Sequence, residues 1–355
     1  MTHEYDTRIE AELNCYNNCI NVHELPLIFH YWSNRYLRPK VEQFGFSHPD
    51  SFFSNNLAQM FQYRAGQAKT FLSIGSGNCD TEVRVAKALA DADFVDFQIE
   101  CLDLNSAMLQ RGQEMAVTQG VSQYVACVYG DLNSWQPVKE YDAVIANQSL
   151  HHVLNLEGLF SGIKKSLKHD GLFIVSDMIG RNGHQRWPEA LRIVREFWRE
   201  LPQRYHYNQQ LKRYEETFLN WDCSVDSFEG IRAQDILPLL VSQFKFDMFL
   251  GFANAIDPFV DRSFGHNFDA NCEKDRAFID RVHQRDEAEI SAGSIKPTHM
   301  FAVMRAQGEG ARHCLGHLTP EFCIRMPDYD GCKAVRPFKL HELVKWFKKS
   351  RTPLL

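Results

Sequence analysis

The chain has no uninterrupted apolar run approaching the roughly 18–20 residues that a membrane helix requires, so no membrane partner is expected. The segment from Met1 to Asn14 is polar and acidic, without an apolar core of signal-peptide length. No Lys/Arg block interrupts a formal charge of −6, which disfavours DNA or bulk RNA, because their phosphates favour a basic face. There is no internal repeat and no low-complexity segment, which removes solenoids and disordered linkers. No tight C-x-x-C pair anchors a zinc site among the ten cysteines. Cys15 and Cys19 form a C-x3-C pair, and Cys314, Cys323 and Cys332 recur at equal spacing near His313 and His317. Scattered as they are, the cysteines read as ordinary free thiols in a reducing cytoplasm, with no metal expected.

What is present is an alternation of strands and helices. Residues 70–74, 97–102, 124–129, 141–146 and 172–176 are short and nearly continuously apolar, as strands covered on both faces are. Helical stretches lie between them: 80–90 with Asp80 placed as an N-cap, 106–118 after Asn105, and a stripe of Leu156, Leu159, Phe160, Ile163 and Leu167. Such alternation predicts a parallel sheet with right-handed crossovers. Two late strands, 245–250 and 299–305, would close the sheet with an antiparallel edge. The expectation is an α/β, doubly wound, Rossmann-like sheet of seven strands, mostly parallel with the last antiparallel. Residues 1–65 form a helical cap, 66–305 the main domain, and 306–355 an extension of unknown role. A lid rich in aromatics is inserted at 181–243, and the stretch 339–349 in the tail is basic.

The run Ile74-Gly75-Ser76-Gly77-Asn78-Cys79-Asp80 joins the first strand to the first helix. Glycines there let the backbone bend tightly and approach a ligand outside the carboxyl ends of the strands. Asp103 ends the second strand, 28 residues beyond Gly75, where a carboxylate can accept hydrogen bonds from both ribose hydroxyls. A pyrophosphate-binding turn wants a third glycine, and that position holds Asp80, whose charge would repel phosphate. The nicotinamide dinucleotide reading therefore loses.

At this point the chain resembles the class I S-adenosylmethionine (SAM)-dependent methyltransferases, in order through five segments between residues 65 and 180. These are Ile74-Gly75-Ser76-Gly77, then Leu102-Asp103-Leu104-Asn105, then Gly130-Asp131-Leu132, then Ala146-Asn147 running on to His151-His152, and last Asp170-Gly171-Leu172-Phe173. The resemblance implies SAM as the cofactor and assigns roles at the matched positions. Gly75 and Gly77 would lie under the ligand, Asp103 with Leu104 at the ribose, and Asp131 with Leu132 beside the adenine. Asn147 would close the methionine side. The family usually carries an acid where Ser73 stands and a third glycine where Cys79 stands; Ser73 can still hydrogen-bond, and Cys79 is small. Trp32, in His30-Tyr31-Trp32, could fold over the cofactor with its ring against the sulfonium, or simply pack in the cap.

Methyl transfer is an in-line displacement that needs alignment, and a hydroxyl acceptor also benefits from a general base. His151 and His152, at the mouth of the expected cleft, are the candidate catalytic groups, with framework histidines as the alternative. His184, His206, Tyr205 and Tyr207 in the lid could line a substrate pocket. The run Asn147-Gln148-Ser149-Leu150 lacks the proline-rich pattern of enzymes that methylate nucleobase amines. The expected function is therefore methyl transfer to a hydroxyl or amine of a small-molecule or sugar-linked acceptor. A protein or peptide methyltransferase and a catalytically silent SAM-binding partner stay open.

Overall fold

The computed structural model describes residues 3–17, 24–63, 66–225 and 227–327. In chain order, α1 (His3–Asn17), α2 (Leu27–Trp32), α3 (Arg38–Glu42) and α4 (Pro49–Met60) precede β1 (Lys69–Ile74). Then come α5 (Asp80–Asp91), β2 (Phe97–Asp103), α6 (Ser106–Thr118), β3 (Val125–Tyr129), β4 (Tyr141–Asn147), α7 (Leu156–Ser166) and β5 (Leu167–Met178). The insertion holds α8 (Pro188–Trp198), a small hairpin of β6 (Tyr207–Asn208) and β7 (Arg213–Tyr214), and α9 (Ala233–Gln243). The remainder is β8 (Lys245–Phe252), α10 (Asp257–Val260), α11 (Glu273–Ala292), β9 (His299–Arg305), β10 (His313–Cys314) and α12 (Pro320–Cys323). No helix among the described residues is long and apolar enough to cross a membrane.

The main sheet runs β10-β8-β9-β5-β4-β1-β2-β3, so the chain starts in the middle and winds outward to both sides. The order reverses between β1 and β4, the place where doubly wound sheets bind ligands outside the carboxyl ends of the strands. Among the described residues, β9 is the one strand of this sheet antiparallel to its neighbours. The sheet has eight strands rather than seven, because the two-residue β10 adds to β8 in parallel. Nothing in a run that short distinguishes it from a loop in the sequence.

Alternate residues of the inner strands enter two separate cores. Leu72, Val144 and Phe173 join a cluster under α7, α8, α9 and α11, while Phe71, Ala143 and Leu172 join one under α4, α5 and α6. Burial on both faces is why these strands read as unbroken apolar runs. Polar caps set the helix starts: Asn105 accepts from the amides of Ala107 and Met108, and Asn155 accepts from that of Gly158. The residues ahead of β1 separate in space. Helix α4 packs on α5, α2 packs on α10 and α11, and α1 reaches the carboxyl ends of the strands.

Candidate active site

The turn after β1 is held from two sides. Gly75 has φ +64°, and a Cβ there would lie 2.5 Å from the Cβ of Ser149 at the end of β4, so no side chain fits. The Gly77 amide donates to Asp103 Oδ2 at 2.8 Å, and the Asn105 amide donates to Asp103 Oδ1 at 2.8 Å. Asp103 thus ties the glycine turn to the end of β2 and leaves one acceptor site on each oxygen. Burial raises its carboxyl above the ordinary range, and the two amides oppose that shift. Asn105, not Asp103, caps α6. Helix α5 begins at Asp80, so the cap position falls to Cys79, at φ +57° and without a side-chain bond to the first-turn amides; Asp80 and Glu82 instead place negative charge in the first turn.

The other matched positions surround this turn. Leu104 follows Asp103, half-buried. Asp131 Oδ1 accepts from the Asn133 amide at 2.9 Å, and its Oδ2 accepts from the Tyr5 hydroxyl of α1. Leu132 packs partly buried against the larger core and lies 3.5 Å from the Cβ position at Gly75. The Asn147 amide donates to Thr81 Oγ1 at 3.1 Å, joining β4 to the start of α5. Ser149 Oγ is buried and has no hydrogen-bond partner among the described residues. The acceptor sites left on Asp103, the close glycine turn and this free hydroxyl fit a nucleoside-type cofactor such as SAM.

The missing acid at position 73 has a counterpart on the next helix. Ser73 donates to Glu82 Oε1 at 2.6 Å, and both side chains are buried. Burial lifts the Glu82 carboxyl to about 6, against the Ser73 hydrogen bond.

Trp32 packs in the core, as the second of its two readings has it: its indole N–H donates to His283 Nδ1 at 3.2 Å and the residue is 3% exposed. Tyr31 and Tyr36 of the same run engage Asp280 and stack on His283. In the lid, Tyr205 bonds Asp275 and His206 stacks on Trp198. The described cysteines are free thiols. Cys19, Cys332 and the 339–349 stretch lie outside the described residues, as does the side chain of Cys15.

His151 and His152 sit just past Ser149 and meet the lid. Asp177, at the end of β5 and fully buried, accepts from the amides of Ser149 and Leu150 at 2.9 and 2.7 Å. Its Oδ1 lies 2.6 Å from His151 Nδ1. His151 Nε2 and His152 Nε2 both face Glu229, at 3.5 and 3.4 Å. His184 Nε2 lies 2.6 Å from Glu229 Oε1, and His152 Nδ1 lies 2.8 Å from Glu12 of α1. The lid segments approach closely because Gly230, at φ +67°, has no Cβ to strike the Gly183 and His184 amides, 3.0 Å from that position. The Gly183 amide donates to Gly230 O, and the Ile231 amide to His151 O.

The electrostatics of the cluster follow from three imidazoles around ionisable oxygens. Burial would hold His151 down, but Asp177 and then Glu229 overcome it and lift the imidazole to about 10. Burial holds His184 below its usual value despite Glu229. Glu229 is held well below the usual carboxylate range, because the histidines outweigh its burial. A His151 that keeps its proton at neutral pH is not a ready general base.

Sequence reasoning missed Glu12, Glu82, Asp177 and Glu229. Asp177 carried a usable signal, an acid at the carboxyl end of a parallel strand. Glu82 sits in the first turn of α5, and Glu12 and Glu229 arrive through contacts between distant segments, for which no spacing rule exists.

Residues 72–175 match the family model described as "Methyltransferase domain". The biotin biosynthesis bifunctional protein BioHC of Teredinibacter turnerae is 28% identical over 147 residues, covering 41% of this chain and 24% of that protein. The chain thus spans about a quarter of the length of that curated relative. Among solved structures, the O-methyltransferase of a trans-AT PKS multienzyme of Brevibacillus brevis, in complex with S-adenosyl-L-homocysteine, aligns with TM-score 0.40 and 14% identity over 70% of each chain. A SAM-dependent methyltransferase of Thiobacillus denitrificans, in complex with the same molecule, aligns with TM-score 0.39 and 12% identity over 72% of this chain and 90% of that one.

Proposed function

We propose that this chain, whose residues 72–175 match the methyltransferase-domain family model, is a class I SAM-dependent methyltransferase that methylates a hydroxyl of a small-molecule or sugar-linked acceptor. SAM, when bound, supplies a methyl group already activated by a positive sulfur, so alignment counts for more than acid or base strength. Asp103 and Leu104 hold the ribose through the acceptor sites left on the carboxylate. Asp131 and Leu132 flank the adenine, Gly75 and Gly77 form the floor, and Asn147 and the Ser73–Glu82 pair border the methionine side.

The observation that carries the acceptor class is the polar cluster of His151, His152, His184 and Glu229, joined to the glycine turn through Ser149. Glu229 is ionised and part-exposed, and it accepts the hydrogen bond of an acceptor hydroxyl. As that oxygen attacks, the C–O bond forms, the C–S bond breaks with its electron pair going to sulfur, and the proton leaves on the Glu229 side. An amine acceptor would have less use for a carboxylate so fully ionised.

The test is to incubate the protein with SAM and a panel of sugars, glycosides, phenols and amines, and to measure S-adenosylhomocysteine (SAH) by mass spectrometry. Turnover restricted to hydroxyl acceptors, and reduced about 100-fold or more in Glu229→Gln, is the expected result. Turnover of amines alone, or none at all in protein that binds SAH, would overturn it.

A further inference from the structure

We propose that His151, His152 and Glu229 form a binding site for one divalent first-row transition metal ion. One ring nitrogen from each histidine and a Glu229 oxygen all lie within 4.8 Å of one another. His151 and His152 each turn Nδ1 to a carboxylate, Asp177 at 2.6 Å and Glu12 at 2.8 Å. With Nδ1 of each ring turned to a carboxylate, Nε2 is the ring nitrogen on the Glu229 side, where an ion would take the place of a proton.

The Nε2 separations to Glu229 are longer than ordinary hydrogen bonds. Charge-assisted N–H···O bonds run about 2.7–2.9 Å, as His184 to Glu229 illustrates with its close 2.6 Å approach. The two Nε2-to-Glu229 separations are 3.5 and 3.4 Å. They reach different oxygens, Oε1 from His151 and Oε2 from His152, and each is close to the roughly 3.4 Å between two ligand atoms of a tetrahedral ion with bonds of about 2.1 Å. Every ligand also has an outer partner that fixes its orientation: Asp177 for His151, Glu12 for His152 and His184 for Glu229. Such partners are the usual support of histidine–carboxylate metal sites. Two imidazoles and one carboxylate suit Zn²⁺, Fe²⁺ or Co²⁺ better than Mg²⁺ or Ca²⁺, and three protein ligands leave a position for water or a substrate oxygen. The site stands on this geometry alone. That the ion would acidify an acceptor hydroxyl rests on the proposed function.

The experiment is to strip the full-length, untagged protein with a chelator and titrate it with Co²⁺, following visible absorption and calorimetry. SAH binding and circular dichroism are measured on every sample. One equivalent of Co²⁺ should bind, displaceable by Zn²⁺, with affinity lowered at least 100-fold in His152→Gln and in Glu229→Gln. Glu12→Gln, which removes only an outer partner, should lower it about 10- to 100-fold. No saturable uptake in the wild type, or uptake unchanged in folded His152→Gln and Glu229→Gln, overturns the metal site. Because SAH is read separately, loss of metal binding with SAH binding intact leaves the methyltransferase reading standing. Metal binding without SAH binding does the reverse.

Discussion

Replacing Asp103 tests the cofactor site most directly. Each carboxylate oxygen already accepts one backbone amide at 2.8 Å, from Gly77 and from Asn105, so each retains one acceptor site. Two ribose hydroxyls would use these sites, and hydrogen bonds to a charged group contribute about 1.5–3 kcal/mol each. Asp103→Ala should therefore weaken SAH binding by about 3–6 kcal/mol, roughly 10²- to 10⁴-fold. Asp103→Asn should lose nearly as much, because its amide NH₂ would have to face one of the two backbone N–H donors. Calorimetry with SAH gives the affinity. The alternative, that the variant fails because the glycine turn loosens, is separated by 2′-deoxy-SAH in a cycle. Wild type should lose about 10- to 100-fold on removal of that hydroxyl, and Asp103→Ala should lose almost nothing further. An alanine variant that is folded and binds SAH within about threefold of wild type would refute the assignment.

Gly75→Ala puts a side chain at φ +64° and 2.5 Å from the Ser149 Cβ, so it should destabilise by roughly 2–5 kcal/mol; an unchanged melting temperature would contradict the close approach. Trp32→Phe removes the bond to His283 but no cofactor contact, so SAH affinity should stay within about threefold while the melting temperature falls. A tenfold loss of affinity, about 1.4 kcal/mol, would restore Trp32 to the site. Burial lifts the buried Asp286 carboxyl to about 8, with Asp257 adding to the shift and the Ala255 and Asn254 amides opposing it. The folded protein then holds that proton more tightly than the unfolded chain. The resulting stability is full below about pH 4 and is lost as pH rises through about 8, with a slope of at most about 1.4 kcal/mol per pH unit. Denaturant unfolding between pH 5 and 9 should show this slope in wild type and a flatter one in Asp286→Asn; parallel curves would remove Asp286 as its source.

The parts of the fold legible in the sequence are those written locally. Strands β1, β4 and β5 announce themselves because both faces are buried, and Phe71 and Leu72 enter different cores although they are neighbours. The glycine turn and the Asn105 cap are short-range devices with their own signatures. Other features were illegible for physical reasons. The extra strand β10 is two residues long, and β5 begins at Leu167 through an irregular register rather than at the apolar run. The aromatic run around Trp32 fits a lid and a core packing equally well in composition; only the partner His283, 251 residues away, decides between them. The same holds for Glu229, whose loop is drawn to His184 and His151 by backbone contacts that no spacing encodes.

Helix α1 shows how those distant contacts combine. Tyr5, Arg8 and Glu12 fall on one helical face by their spacing. Tyr5 bonds Asp131 beside the expected adenine position, Arg8 donates to Ser224 and Val225 carbonyls in the lid, and Glu12 pairs with His152 at the acceptor end. A helix of 15 residues is marginal by itself, so its order depends on these contacts. One rigid element therefore touches both ends of the cleft. A change at Asp131 that shifts Tyr5 must also be felt at Glu12, because the intervening turns cannot stretch. Glu12 in turn lies 2.8 Å from His152, so α1 links the cofactor end to the histidine cluster in addition to the link through Ser149 and Asp177.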